Sequence, residues 1–261
     1  MRVSHNAGFS LVELAMGLLI IGLLVAGVLQ GQALLTNAKI SQTVAQGNAY
    51  IKAVNSFEGI YGALPGDFAH AQRDIPGCRE AAQCLDGNGD GKVGDLEMPA
   101  EVVFARFIAA DHPETLEAWK HLALADLIND IDVDFSGTDF KWGVSHPRNA
   151  FGGGVQFFSY YDYWPGIAHG VYFIFSRTVP EAVRNTGPSG AGSPFLLSPI
   201  IAQAVDLKAD DGLPTEGRVR GMIRINANLE TLSNNCLTPD LGYNTQLGTE
   251  KRCMLYFRYS R

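Results

Sequence analysis

The sequence predicts an α+β protein in which one long N-terminal helix, spanning about residues 9–60, carries a globular head. An uncharged apolar stretch runs from Leu14 to Ala38, and helical spacing continues beyond it to about residue 60. After residue 150, segments rich in Val, Phe, Tyr and Ile are bounded by Gly or Pro, as strands are. Helices followed by strands are typical of α+β domains with an antiparallel sheet.

The apolar stretch is long enough to cross a membrane. It contains about 25 residues without Asp, Glu, Lys or Arg, and a bilayer needs about 20. Glu13 lies directly before it, and a carboxylate at the mouth of an apolar segment costs on the order of a few kcal/mol. We therefore expect Glu13 to have a charged partner; the alternative is a plain anchor whose carboxylate reaches the interface.

The helix is predicted to continue past the apolar stretch as an amphipathic segment. One face carries Ile40, Val44, Gly47, Ile51, Val54 and Glu58 at spacings of three and four. Gly59, Gly62 and Pro65-Gly66 end the pattern. We expect the first half, about 9–35, to lie in lipid or in another apolar environment and the second half to pack against the head. Gly17, Gly22, Gly27 and Gly31 would allow close helix packing.

The head is predicted to contain helices followed by strands. The helical patterns are Glu97 to Ala110, Pro113 to about Asn129 and Ser198 to Val205. The strand patterns are Gly154 to Tyr161, Gly170 to Ser176, Gly217 to Ile225 and Cys253 to Tyr259.

Composition and charge argue against two classes of function. The 261 residues are 46% hydrophobic and 18% charged, which is typical of a globular protein. A formal net charge of −7 makes bulk nucleic-acid binding unfavourable. The sequence contains no H-E-x-x-H motif, no complete G-x-S-x-G motif and no phosphate loop, so we do not expect an enzyme.

Residues 86–97 match the twelve-residue calcium loop D-x-[DN]-x-[DN]-G-x5-E at every position. In this pattern oxygens from the first, third and fifth positions surround one point, the seventh contributes its backbone carbonyl, and the last closes the site in a bidentate manner. The predicted ligands are Asp86, Asn88, Asp90, Lys92 and Glu97. Gly91 permits the sharp turn, and Val93 is expected to pack inward. The alternative is a polar, Gly-rich surface loop.

Two further stretches leave alternatives open. The acidic loop from Asp206 to Pro214 could cap a helix and form turns, or could bind a second ion. The aromatic run from Phe157 to Trp164 fits alternating core and edge positions of a sheet, or a stacking surface for sugars or bases.

The start of the chain resembles the type IV prepilin family. Gly8-Phe9-Ser10-Leu11-Val12-Glu13-Leu14 follows a short leader with one Arg, and the small residue precedes the apolar stretch instead of following it as in a secretory signal. The resemblance implies cleavage by prepilin peptidase between Gly8 and Phe9, N-methylation of Phe9, and assembly through Glu13 as the acid of the mature helix.

The resemblance also implies a domain plan and a set of functions. Residues 1–8 would be the leader, 9–62 the long helix and 63–261 the head of a pilin-like lollipop. The favoured function is a structural subunit of a type IV pilus-like filament, held in the inner membrane with a periplasmic head before it joins other pilin or pseudopilin subunits in a cell-surface pilus or a periplasmic pseudopilus. The alternatives are a minor tip pilin with an adhesin or DNA-binding role, and a type II secretion pseudopilin. Some pseudopilins use calcium, in agreement with the loop.

Four cysteines, Cys78, Cys84, Cys236 and Cys253, suit disulfides in an exported chain. Three pairings are possible, and pairing neighbours, Cys78–Cys84 and Cys236–Cys253, is the simplest. Free buried thiols are the alternative.

Overall fold

The computed structural model describes residues 11–81, 84–94, 113–135, 141–160, 170–177, 195–221, 236–238 and 240–259. These residues form one long N-terminal helix, several shorter helices and a four-stranded antiparallel sheet. The α+β class expected from the sequence is confirmed.

Helix α1 extends without interruption from Leu11 to Tyr61. Its 51 residues correspond to a length of about 77 Å at 1.5 Å per residue. The helix ends where Gly62 adopts a φ of 72°, a conformation that costs glycine little, and the Gly62 N–H donates to the Glu58 carbonyl at 2.8 Å. The end therefore falls within two residues of the one that the glycines predict.

The described chain divides into two compact units between Ile40 and Ser41. The first unit contains the N-terminal part of α1. Most of its residues from 11 to 39 are exposed, and none of them is buried. The second unit contains the rest of α1 and the head. The C-terminal part of α1, from Ser41 onward, thus belongs to the head.

Four short helices follow α1 in the part of the chain that the structure describes. They are α2 at Ala71–Asp74, α3 at Pro76–Glu80, α4 at Pro113–Leu124 and α5 at Pro199–Ala209. A 3₁₀ turn lies at Thr245–Leu247. The pattern predicted from Glu97 to Ala110 lies outside the described residues.

The prediction for α4 was five residues too long. Asp126 adopts a φ of 58°, and the Leu127 N–H donates to the Leu122 carbonyl at 2.9 Å. This bond spans five residues, as in a Schellman C-cap, so the chain leaves the helix before Asn129. An aspartate in the left-handed conformation gives little warning of this in the sequence.

The strands are β1 at Gly154–Tyr160, β2 at Gly170–Ser176, β3 at Val219–Arg220 and β4 at Leu255–Tyr259. Their order in the sheet is β1-β2-β4-β3, with every pair antiparallel. The register aligns Phe157, Phe173 and Phe257, and Val219 completes the row across β3. All four side chains are buried, so this row forms the floor of the head's core.

The head part of α1 packs on this floor. A Cβ at Gly47 would lie 2.6 Å from two ring carbons of Phe257, so a larger residue at that contact requires the ring to shift. The ring of Tyr50 lies 5.7 Å from Phe173 and 5.0 Å from Trp119 between centroids. These aromatic contacts join α1, α4 and the sheet in one core.

The buried face of α1 differs in part from the predicted one. Val44, Ile51 and Glu58 are only half-buried. The fully buried positions are Ile40, Thr43, Gly47, Tyr50, Ala53, Val54 and Phe57. The stripe is rotated by about one residue because large aromatic side chains at positions 50 and 57 occupy its centre.

Each disulfide joins two cysteines that follow one another among the four in the sequence. Cys78 is bonded to Cys84 and Cys236 to Cys253, with Cα atoms 5.3 and 5.1 Å apart respectively. The first bond closes the segment just before the predicted calcium loop. The second ties Cys236 to the residue two positions before β4.

Candidate functional site

The apolar part of α1 is exposed on all sides. Side chains pointing in every direction around the helix axis are more than half exposed, among them Leu18, Leu19, Ile20, Ile21, Leu23 and Leu24. This is the one helix among the described residues that is long and apolar enough to cross a membrane. Glu13 lies in its first described turn and is exposed. The predicted cleavage site, Gly8-Phe9, lies outside the described residues.

The described part of the predicted calcium loop, residues 86–94, forms a tight turn system. Gly89, Gly91 and Gly94 all have positive φ, between 73° and 84°. Asn88 Oδ1 accepts the N–H of Asp90, and Asp90 Oδ1 accepts the N–H of Lys92, each at 2.8 Å. These successive Asx turns fix the positions of the Asn88 and Asp90 side chains against the loop backbone. Glu97 lies outside the described residues.

Val93 anchors the loop to the sheet. Its side chain is fully buried, which confirms that it packs inward. The Val93 N–H donates to Ser159 Oγ at 2.7 Å, and the Ser159 N–H donates to the Val93 carbonyl at 3.0 Å. Because Ser159 belongs to β1, the rigid sheet fixes one end of the loop.

One face of α4 holds the other parts of the loop. Glu114, Glu117 and His121 follow helical spacing and are all buried. Glu114 accepts the N–H groups of Asn88 and Gly94, one on each carboxylate oxygen, both at 2.9 Å. The loop backbone therefore closes around the Glu114 carboxylate.

The segment leading into the loop is held by the same face. Glu117 accepts the Leu85 N–H at 2.9 Å and pairs with Lys120 at the same distance. His121 accepts the Gly66 N–H on Nδ1 at 2.9 Å, so Nε2 carries the proton that it donates to the Leu85 carbonyl at 2.8 Å. Burial lowers the pKa of His121 to about 4, which keeps the ring neutral.

Cys78, Cys84 and His121 lie close enough together to hold a metal ion. The disulfide occupies both sulfur atoms, and the hydrogen bonds to Gly66 and Leu85 occupy both ring nitrogens. In this state the group is a structural brace and has no ligand atom to offer a metal.

Asp67 is a second carboxylate beneath the loop, contributed by the segment just after α1. It is 3% exposed, and its Oδ2 accepts the Gly91 N–H at 3.1 Å. Its backbone carbonyl accepts the Gly89 N–H at 3.0 Å. Burial is the main cause that raises the pKa of both Asp67 and Glu114, and the nearby Asp90 carboxylate adds to it.

Asp67 and Glu114 were not predicted as part of the site. They lie 19 residues before and 17 residues after the two ends of the 86–97 pattern, and only the fold brings them to the loop. The spacing of Glu114, Glu117 and His121 was a usable signal, since it places three polar groups on one face of the helix.

The second acidic loop places its carboxylates on backbone N–H groups. Asp210 Oδ2 accepts the N–H groups of Arg218 and Val219, the latter at 3.0 Å. Asp211 Oδ1 accepts the Leu213 N–H at 2.8 Å. The Asp210 bonds tie the end of α5 to the start of β3, and the Asp211 bond closes an Asx turn. The three carboxylates of Asp206, Asp210 and Asp211 also lie close enough together to hold an ion.

Phe157 of the aromatic run belongs to the core. Phe157 is fully buried, and its ring lies 4.7 Å from that of Phe173. Residues 161–164 lie outside the described part of the chain.

Comparisons with models of protein families, with curated proteins and with solved structures found no match to this chain.

Proposed function

We propose that this chain is a structural subunit of a type IV pilus-like filament, anchored and assembled through the N-terminal part of α1. The observation that carries the proposal is that this part of α1 is apolar and exposed on all sides, with a single acidic residue, Glu13, at its start. Exposed apolar area of this extent needs a lipid or protein environment.

The resemblance of residues 8–14 to prepilin sequences supports the choice of a filament. Cleavage between Gly8 and Phe9 would leave a charged amine at the start of the apolar helix. In a helix bundle of low dielectric constant that amine would need a counter-charge, and Glu13 of a neighbouring subunit is the acid within reach. The helix glycines Gly17, Gly22, Gly27 and Gly31 would help the subunits pack closely, because small residues let helix backbones approach one another. These positions are open in the single chain, where an added Cβ would meet no atom within 4 Å.

The test is a substitution of Glu13 in the native host. Glu13→Ala is expected to leave the chain processed and in the membrane but to reduce its amount in sheared filaments severely, since the buried amine would lose its counter-charge. Mass spectrometry of both fractions measures the amount and identifies the N-terminal peptide, which is expected to begin at methylated Phe9.

Gln30→Ala is the matched control, because it removes an uncharged polar group from the same exposed helix surface. It is expected to assemble as the wild type does. Normal filament incorporation of Glu13→Ala would contradict the proposal. The abundance of the wild-type chain in the sheared fraction separates a major subunit from a minor tip subunit or a periplasmic pseudopilin, both of which would be scarce there.

A further inference from the structure

Helix α5 has an exposed apolar face. Ile200, Ala204 and Leu207 follow one another at spacings of four and three, and the side chains of Ile200 and Leu207 are exposed. A Cβ at Gly212 would lie 2.4 Å from Leu207 Cδ2, so the exposed Leu213, which is the next residue, lies beside the same face. These four apolar residues, at positions 200, 204, 207 and 213, form what we call the α5 apolar face.

The α5 apolar face contains half of the large apolar side chains that are exposed on the described part of the head. The others are Ile60, Leu85 and Leu241, which belong to other segments. Single exposed leucines are ordinary on a protein surface, whereas a group of adjacent ones marks a surface that contacts another apolar one. The α5 apolar face therefore has the character of a contact surface.

This face lies beside the first residue of the head. Lys208, which follows Leu207, donates to Ser41 Oγ at 2.6 Å. Ser41 begins the second compact unit and lies three residues after Ala38, the last residue of the uncharged apolar stretch. Because α1 is continuous there, three residues correspond to about 4.5 Å along the helix. The chain itself thus holds α5 close to the end of the apolar stretch.

The length of α1 relates Ser41 to the thickness of a membrane. At 1.5 Å per residue, Ser41 lies about 42 Å from Glu13 along the helix, and a bilayer with its headgroups is about 40–45 Å thick. When Glu13 lies at one surface of the membrane, Ser41 therefore lies in the headgroup region of the other. Ile60 lies about 70 Å from Glu13 along the helix, well outside the bilayer.

The charged groups beside the face are of both signs. Lys208 is basic and would favour anionic lipids. The exposed carboxylates of Asp210 and Asp211 follow α5, and they accept the N–H groups of Val219 and Leu213 respectively. These acids oppose the attraction of Lys208 to anionic lipids. Binding to a lipid surface would therefore depend on the apolar side chains.

We propose that the α5 apolar face docks on the lipid interface of the membrane that anchors the chain, with Ile200, Leu207 and Leu213 inserted between the headgroups. Interfacial helices bury their apolar faces about 5–10 Å into the boundary between headgroups and acyl chains. The proposal rests on the membrane anchoring of the proposed function and is independent of filament assembly. Docking would hold the head against the membrane before the subunit is assembled.

The first experiment measures the depth of tryptophan reporters in the full chain, reconstituted in phosphatidylcholine vesicles whose acyl chains carry bromine, a quencher of tryptophan emission. Leu207→Trp reports docking, and Ile60→Trp is its matched control because the two native side chains are 61% and 64% exposed. The emission that Leu207→Trp adds to that of the wild type is expected to be about twofold lower or less than in unbrominated vesicles, since an inserted side chain reaches the acyl chains. That of Ile60→Trp should not change.

Leu24→Trp, within the apolar segment, reports the anchoring separately. Its emission is expected to be quenched whether the head docks or not. Absence of quenching at position 24 would contradict the anchoring and the docking together. Quenching at position 24 without quenching at position 207 would overturn the docking alone.

The second experiment tests whether apolar contact, and not nearness to the membrane, holds the face on the lipid. Leu213→Trp is a second reporter, and Ile200→Gln combined with Leu207→Gln removes the apolar groups beside it. We expect the two glutamines to reduce quenching at position 213 about twofold or more, because apolar burial is the attraction. Ile60→Gln should leave it unchanged, and near-ultraviolet circular dichroism verifies that each variant is folded. Equal quenching with and without the two glutamines would overturn the proposal.

A second copy of the chain is the other apolar surface that could cover this face. Measurements at increasing ratios of lipid to protein separate the two cases, since dilution disperses the copies but leaves the lipid contact in place. Equal quenching at position 207 at every ratio is the expected result. A blue-shifted emission that is not quenched and that is lost on dilution would assign the face to a second copy and overturn the proposal.

Discussion

Asp206 is the most deeply buried carboxyl group of the second acidic loop. It is 0% exposed, accepts the Tyr243 hydroxyl at 2.8 Å and accepts the Gly212 N–H at 3.3 Å. Burial raises its pKa to about 7, and the Asp210 and Asp211 carboxylates add to the rise while these two hydrogen bonds oppose it. At neutral pH this group is therefore poised between its two protonation states.

Titration of Asp206 should make the head less stable as the pH rises. The pKa of Asp206 is about 7 in the folded chain, against an ordinary value of 3.8. Between these two values the folded chain keeps a proton on Asp206 that the unfolded chain has lost, and this stabilises the fold. The stabilisation is lost as the pH rises through 7. Asp206→Asn should remove this term. As the pH rises from 4 to 8, the free energy of unfolding of the variant is expected to increase relative to that of the wild type, by on the order of a few kcal/mol.

The measurement is chemical denaturation of both proteins at several pH values, compared as a difference. The difference matters because burial lowers the pKa of His121 to about 4 and that of His146 to about 3, and both give the wild type the opposite slope below 6.5. These slopes cancel in the comparison. A difference that does not change with pH would contradict the prediction.

Glycines have two separate roles in helix α1, and the structure distinguishes them. Gly47 lies against the Phe257 ring, where a methyl group has no room, whereas a methyl group at Gly22 would meet nothing within 4 Å. Glycine is therefore needed for close packing at Gly47 in the head, whereas Gly22 in the apolar segment lies on an open surface.

Gly47→Ala is expected to lower the free energy of unfolding of the head by about 1–3 kcal/mol, because the added methyl group must displace the Phe257 ring. Gly22→Ala is its matched control and should not lower the melting temperature, since alanine favours the helix by about 1 kcal/mol. Thermal unfolding of both variants in detergent, followed by near-ultraviolet circular dichroism, measures the contrast. Equal melting of the two would show that the aromatic floor adapts to the methyl group.

The elements could be predicted where the pattern is local. The helical spacing of α1 and the β-branched and aromatic strands were found because each depends on neighbours in sequence. The exact buried stripe of α1 was wrong by about one residue, since it depends on how Tyr50 and Phe57 meet Trp119, Phe173 and their neighbours. Packing against distant partners decides such details, and periodicity does not contain them.

The candidate ion site likewise combines a local sequence pattern, which could be predicted, with contacts from distant segments, which could not. The loop motif is contiguous, so five candidate ligands could be named from spacing alone. Asp67 and Glu114 come from other segments, and their place under the loop depends on the ends of α1 and α4. Without the fold, neither could be connected to the loop.

At the scale of the whole molecule, the chain separates an apolar segment from a self-contained head. None of the residues from 11 to 39 is buried, whereas the buried positions of α1 begin at Ile40. The core of the head therefore uses α1 only from that point onward.

A fragment that begins at Lys39 is expected to be soluble and to keep both disulfides, because it retains every buried position of α1. It should unfold in one transition within a few degrees of the full chain in detergent, as measured by circular dichroism. An unfolded or aggregated fragment would contradict this and would make the apolar segment necessary for the fold of the head.

The contacts between α1 and β4 join residues that are made at very different times. The Tyr259 hydroxyl lies within hydrogen-bond distance of two acceptors on α1, Asn55 Oδ1 at 3.0 Å and a Glu58 carboxylate oxygen, which are 204 and 201 residues away along the chain. At 5–20 residues per second, α1 would emerge on the order of ten to forty seconds before the strand that covers it. During that interval the part of its buried stripe that β4 covers is exposed, so the newborn chain passes through a state in which this helix surface can associate with other surfaces until synthesis is complete.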